Sequence, residues 1–346
     1  MNKLKTIGLS ALAGSLAVTT ASNAVEYALS GDAYVVYSSE DDTTTEAASG
    51  KIFAADMDLY TNASTELDNG FTVSFFQGIN TNSTMAVTTA QITLGMGSLG
   101  TLQLNEDGGS RANAIDDVMP NAMQETWDRV ASLSTTNPSF FGASTAQGSV
   151  DYRIPTLDLG GISVNAAYTY DPNADEEAAN ASSGGLDTNV SGSAIVLEVS
   201  AMGLTIGLGE ETIENGTLPK GNDEVNTTGY AKFAMGPITV GYQEAYADTN
   251  NGTGAVGRDL SAEFMGISYT AGDISISYGE SEFQKEAIGA TVTSKTQELE
   301  AIQASYTMGA MTILASLSEG SNIAAPAASA TGQSYEETSI AVNFSF

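Results

Sequence analysis

The chain has 346 residues, 42 acidic against 11 basic, for a formal net charge of -31, although only 15% of its residues are charged. With no His and no Cys, it cannot build disulfides, Cys/His zinc sites, thiol nucleophiles or histidine acid–base catalysis. A surface this acidic also excludes nucleic acid as a partner, because phosphate binding needs clustered Lys and Arg.

The chain opens on a targeting segment. Lys3 and Lys5 form a positive start, residues 7–18 are apolar or small, and Ser22-Asn23-Ala24 has small residues at both flanking positions of a cleavage tripeptide. The pattern reads as a secretory signal over residues 1–24, too short to span a membrane as a helix. Mass spectrometry of the mature protein is therefore expected to find Val25 at the N-terminus. Retention of residues 1–24 would overturn the export reading.

From Val25 onward the dominant period is two. Phe53, Ala55, Met57 and Leu59 oppose Ala54, Asp56, Asp58 and Tyr60. Ile162, Val164, Ala166 and Tyr168 oppose Ser163, Asn165, Ala167 and Thr169. Further on, Ile274, Ile276 and Tyr278 oppose Ser275, Ser277 and Gly279, while Ile340, Val342, Phe344 and Phe346 oppose Ser339, Ala341, Asn343 and Ser345. Alternation of this kind predicts β-strands with one apolar face.

Short glycine turns near Gly70, Gly97, Gly161, Gly203, Gly236, Gly272 and Gly309 punctuate the strands. Between them lie long polar segments at 38–51, 78–85, 106–147, 171–191, 212–227, 248–259, 281–296 and 319–334. Seven tight turns alternating with eight long segments, both chain ends on the tight-turn side, require sixteen strands. The expected fold is all-β: a 16-stranded antiparallel transmembrane β-barrel over residues 25–346, forming one domain. A soluble sandwich would turn its apolar faces together. Here the polar faces are small and wet in character, and one uninterrupted meander closes most simply as a barrel, which removes sheet edges. By phase, Glu26, Asp32, Asp56, Asp58, Glu198 and Lys232 face the lumen. A one-residue slip would send Asp56 and Asp58 to lipid, so the alternation specifies its own register.

The chain resembles the general-diffusion porins of Gram-negative bacteria, especially those of alphaproteobacteria. The likeness rests on Val25-Glu26-Tyr27-Ala28-Leu29-Ser30-Gly31, Gly100-Thr101-Leu102-Gln103-Leu104, a sixth strand at Ser149-Val150-Asp151-Tyr152-Arg153-Ile154-Pro155, and the terminal Ala341-Val342-Asn343-Phe344-Ser345-Phe346. It implies a homotrimer in the outer membrane among lipid and lipopolysaccharide, conducting small hydrophilic solutes. It also implies that Val342, Phe344 and Phe346 form the signal read by the barrel-assembly machinery, and that the long third loop folds inward as a constriction.

The loop spacing supports the last implication independently. Gly100 and Gly161 are 61 residues apart, whereas the other successive turn glycines are 30–42 apart. The extra length is segment 106–147, the constriction loop, with Glu106, Asp107, Asp116, Asp117, Glu125 and Asp128 against Arg111 and Arg129, and the only Trp, Trp127. Pro120 to Asp128 reads as the start of a short helix with Met123 and Trp127 on one side. In the family, wall arginines face an acidic third loop. Arg153 matches one such position, but Asn105-Glu106-Asp107 stands where Gly-Arg is common, so acids predominate and cations are the expected preference.

Glu40-Asp41-Asp42 and Glu210-Glu211 are read as loop acids, either solvated or holding Ca2+ between loops or to lipopolysaccharide. No EF-hand pattern names a metal site, and no cofactor is expected. Two other readings compete: a solute-selective channel with a binding track, and a secreted acidic adhesin or coat protein. An enzyme is not expected, since a hydrolase would lack both a triad His and a Gly-x-Ser-x-Gly elbow.

Overall fold

The computed structural model describes residues 25–42, 50–81, 85–107, 109–128, 141–142, 148–172, 191–214, 223–248, 259–285, 296–323 and 334–346. The expected signal over residues 1–24 lies outside them.

The alternating stretches form strands β1 (Glu26–Asp42), β2 (Gly50–Glu66), β3 (Thr72–Asn80), β4 (Ala86–Gly95), β5 (Thr101–Asp107), β6 (Ser149–Arg153), β7 (Leu157–Asp158), β8 (Ile162–Asp171) and β9 (Gly192–Ala201). They continue as β10 (Leu204–Ile213), β11 (Glu224–Met235), β12 (Ile238–Asp248), β13 (Leu260–Ala271), β14 (Ile274–Lys285), β15 (Gln297–Met308), β16 (Met311–Ser321) and β17 (Ser334–Ser345). Neighbours pair antiparallel, and β1 pairs with both β2 and β17, so the sheet closes on itself.

β6 and β7 both pair with β8 and share one wall position, which leaves the sixteen positions that the turns require. Between them the register moves by one residue, from Arg153↔Ala167 to Leu157↔Val164. The sixth strand therefore stops at Arg153 rather than running through Pro155. Proline cannot donate to the ladder, and a local bulge accommodates it.

Short turns join the strands at one rim, those after β9, β11, β13 and β15 having two residues each. At Gly236-Pro237 and Gly272-Asp273 the glycine has φ +59. A type II′ hairpin turn needs that left-handed conformation at its first central position, and glycine adopts it without strain. The first and last strands close on this side, where the Gly31 N–H donates to the Phe346 carbonyl at 2.7 Å and the Phe346 N–H to the Gly31 carbonyl at 2.9 Å.

The wall is apolar outside and polar inside. On β9, Ile195 and Leu197 are 56% and 42% exposed, while Val196 between them is 2% exposed. Buried inner positions include Gln243, Gln303, Asp151 and Glu211. Water-soluble folds have the opposite arrangement, so the adhesin reading is lost and lipid is the medium that matches the outer face.

Charge marks where that lipid band ends. Toward the long-loop rim, outward Glu263 stands opposite Glu244 and Glu282, and outward Glu300 opposite Glu280 and Glu319. Like charges in direct register repel, which is tolerable only where water screens them. Tyr242 and Tyr278 lie beneath this tier; Tyr242 donates to Glu244 and to Glu263 (3.3 Å), and Tyr278 to Glu280 and to Glu300 (2.8 Å). Amphipathic tyrosines at this height form part of an interfacial girdle. The strands thus run beyond the bilayer, and segments read as loops are partly wall. Glu40, Asp41 and Asp42 belong to β1, and Glu210 and Glu211 to β10.

Candidate functional site

Residues 109–128 lie on the polar face of the ring, held by side chains from widely separated strands. The Gly109 carbonyl accepts from Gln103 Nε2 at 2.9 Å and from an Arg153 guanidinium N–H at 3.2 Å. Gln243 on β12 is fully buried and makes three bonds to the segment. Its Nε2 donates to the carbonyls of Ile115 and Asp116 at 2.9 and 3.0 Å, and its Oε1 accepts from the Val118 N–H at 3.0 Å. Further round, Ser277 Oγ accepts from the Ala122 N–H at 2.8 Å. Gln303 Oε1 accepts from the N–H groups of Met123 and Gln124 at 2.9 and 3.2 Å, and its Nε2 returns a bond to the Gln124 carbonyl at 2.7 Å. Contacts reaching from β5 and β6 round to β15 on one face of a closed sheet can be made only from inside it.

Apolar side chains complete the seat. Ile115, Ala112 and Phe141 pack with Ala194, Val196 and Tyr230. Met123 packs with Tyr34, Val36, Leu314 and Ala341, whereas Trp127 joins Phe264, Leu299, Ile323 and Tyr335. The helix expected from Pro120 to Asp128 does not form. Wall side chains take the N–H groups of Ala122, Met123 and Gln124, leaving no i−4 ladder, and Met123 and Trp127 go to different parts of the wall. The only helical turn of the segment among the described residues is a 3-10 turn at Asn113–Ile115.

Two of the segment's four acids, Asp116 and Asp117, stabilise its own backbone through their carboxylates. Asp116 Oδ1 accepts from the Asp117 N–H, and Asp117 accepts from the Met119 N–H at 2.8 Å and from Trp127 Nε1 at 3.2 Å. The Glu125 carbonyl accepts from the Asp128 N–H at 3.3 Å. Glu106 is displaced from the expected set. Strand β5 continues to Asp107 by a register shift against Ala90, and Glu106 shares the exposed outer phase of Leu102 and Leu104. Arg129 lies outside the described residues, as does the side chain of Asp107.

Both lumen arginines among the described residues pair with carboxylates. Arg153 Nε donates to Asp151 Oδ2 at 2.6 Å, and the fully buried Asp151 also accepts from Thr169 Oγ1 at 2.7 Å. Arg111 pairs with Glu198, which also accepts from the Tyr230 hydroxyl. Burial lowers the pKa of Arg111, and Arg153 pushes the same way, but a guanidinium is so basic that it remains charged. Lys232 Nζ donates to the Val118 carbonyl at 3.4 Å.

On the other side of the ring, β1 and β2 place Asp32 directly opposite Asp58, and Tyr34 opposite Asp56. Tyr60 donates to Asp58 Oδ2 at 3.4 Å and Asn80 donates to Asp56. In the strand order β2 lies half-way round from β11, so these three carboxylates face Lys232 across the bore. The phase of the sequence places all of them inward, as the structure does. The glutamine anchors Gln243 and Gln303 left no such signal, because an inward Gln becomes an anchor only once the opposing backbone is known. Among the described residues no group of three or more acidic side chains is placed to hold a metal ion.

Residues 8–346 match the model of the family described as Gram-negative porin. No curated protein matches the chain in sequence. Among solved structures, an anion-selective porin from Comamonas acidovorans aligns with TM-score 0.65 and 13% identity, covering 94% of this chain and 100% of that one. The trimer form of OmpT, an outer membrane protein of Vibrio cholerae, aligns with TM-score 0.62 and 11% identity over 94% and 100% of the two chains. A triple mutant of the Rhodopseudomonas blastica porin gives TM-score 0.55 and 18% identity over 92% and 100%.

Proposed function

The chain belongs to the Gram-negative porin family, and from that premise we propose that it forms a passive outer-membrane channel for small hydrophilic solutes, narrowed by residues 109–128 and preferring cations. The observation that carries the preference is the asymmetry of the lumen. Arg111 and Arg153 are each matched by a carboxylate, while Asp32, Asp56 and Asp58 gather on β1 and β2 with hydroxyl and amide neighbours. Acidic lumen walls favour cation entry by electrostatics alone. The unit is a homotrimer set among lipopolysaccharide, and Val342, Phe344 and Phe346, all of one strand phase, present the signal for assembly.

A planar bilayer with a salt gradient tests this reading. Stepwise conductance in groups of three is expected, with a reversal potential of the sign given by cation flow. The preference should weaken as salt rises, because the Debye length contracts from about 10 Å at 0.1 M to about 3 Å at 1 M. An anion-selective pore would overturn the cation reading, and a protein that conducts nothing would overturn the channel itself.

A further inference from the structure

Three glycines meet on the inner wall where residues 119–126 rest. Register sets Gly241 of β12 opposite Gly266 of β13, and Gly266 opposite Gly279 of β14. None of the three has a left-handed φ, so no turn or bulge demands glycine there. Inside a strand a glycine is destabilising relative to alanine, through chain entropy and lost packing. Three in adjacent register therefore call for a reason other than the wall.

Space supplies it. A Cβ on Gly241 would come within 2.9 Å of Met119 Sδ and 3.0 Å of Pro120 Cδ. On Gly266 it would meet Pro120 Cδ at 2.9 Å and the Pro120 carbonyl oxygen at 3.0 Å, and on Gly279 it would meet Thr126 Cγ2 at 2.9 Å. The trench is filled by the chain's own residues. Gln243, Ser277 and Gln303 fix the backbone on either side of it.

We propose that this glycine trench sets how far residues 119–126 stand off the wall, and so sets the bore of the channel and the largest solute it passes. The inference rests on the reading of the protein as a diffusion channel narrowed by this segment. Gly266 is the decisive position, because the groups above it are a proline ring and a backbone carbonyl that cannot turn aside. Over Gly241 the Met119 thioether is the far end of a flexible side chain and yields more readily.

The test compares Gly266→Ala, Gly241→Ala and the outward-facing Gly229→Ala in the full-length protein. Heat-modifiable mobility verifies the fold of each variant, and unit conductance and liposome swelling in sugars of increasing size are then measured. Gly266→Ala is expected to lower unit conductance and move the sugar cut-off to smaller sugars, Gly241→Ala to do so less, and Gly229→Ala not at all. Adding Pro120→Ala to Gly266→Ala should restore part of the lost conductance. Should Gly266→Ala not fold, the graded loss with Gly241→Ala, relieved by Pro120→Ala, decides in its place. Folded Gly266→Ala with unchanged or larger conductance and an unchanged cut-off overturns the inference and leaves the channel reading intact. Wild-type protein that passes neither ions nor sugars refutes the underlying reading instead.

Discussion

Replacing Asp32, Asp56 and Asp58 together by Asn is expected to abolish the cation preference, bringing the reversal potential in a salt gradient to zero or past it. The three carboxylates share one patch of inner wall, with Asp32 opposite Asp58 and Asp56 one inward position further along β2. At physiological ionic strength the Debye length is about 8 Å, so such a patch acts on ions passing within that distance and little beyond it. Once it is neutral, the inward bases across the bore are Lys232 and the two arginines, the arginines already offset by Glu198 and Asp151. The amide is close in size to the carboxylate and retains one acceptor oxygen, so conductance should change less than selectivity. Asp116→Asn with Asp117→Asn is the informative comparison. Those carboxylates accept backbone N–H groups within residues 116–119, so the pair should disturb the seating of the segment and move the reversal potential less. If the triple substitution leaves the reversal potential where it was, the selective charge is not on β1 and β2.

Deletion of Phe346 is expected to cause a large fall in the yield of assembled barrel, read as loss of the heat-modifiable band. The residue makes two backbone hydrogen bonds to Gly31 across the closing seam. Its side chain approaches closely enough that a Cβ on Gly31 would meet the Phe346 ring at 2.8 Å. Each bond contributes about 0.5–1.5 kcal/mol in water, but an unsatisfied N–H or C=O in the apolar part of a bilayer costs several kcal/mol. The seam therefore loses far more than one contact. Gly31→Val attacks the same place from the other strand, since its side chain would also meet the Asp58 carbonyl at 2.8 Å. Normal yield from both variants would show that closure does not depend on this contact.

Much of the wall was legible in the sequence because a strand's period of two is rigid. Ile340 and Phe344 point out and Ala341 is buried, as the alternation requires, and Asp56 and Asp58 fall inward by the same rule. The rule failed where the backbone departs from regular pairing. Pro155 breaks the sixth strand, and the shift opposite Ala90 lets β5 run on to Asp107, so Glu106 belongs to the wall in the outward phase of Leu102 and Leu104 instead of opening the loop. The interior of residues 109–128 was the least legible. Pro120 to Asp128 carries the local marks of a helix, but its N–H groups are claimed by Ser277 and Gln303, some 155 to 180 residues away in sequence. No window of local sequence contains that competition.

Those same separations impose an order on folding. Val118, Ala122 and Met123 bond to partners 125, 155 and 180 residues further along the chain. While the ribosome and the export machinery deliver the chain from its N-terminus, residues 115–124 lack the partners they seat against, and they cannot acquire their final conformation until β15 exists. Non-local contacts of this span are slow to form, because chain entropy must be lost before any bond repays it. Residues 115–124 are thus among the last parts of the molecule to become defined. A chain interrupted anywhere before Gln303 would carry this segment with at least its Gln303 anchor missing.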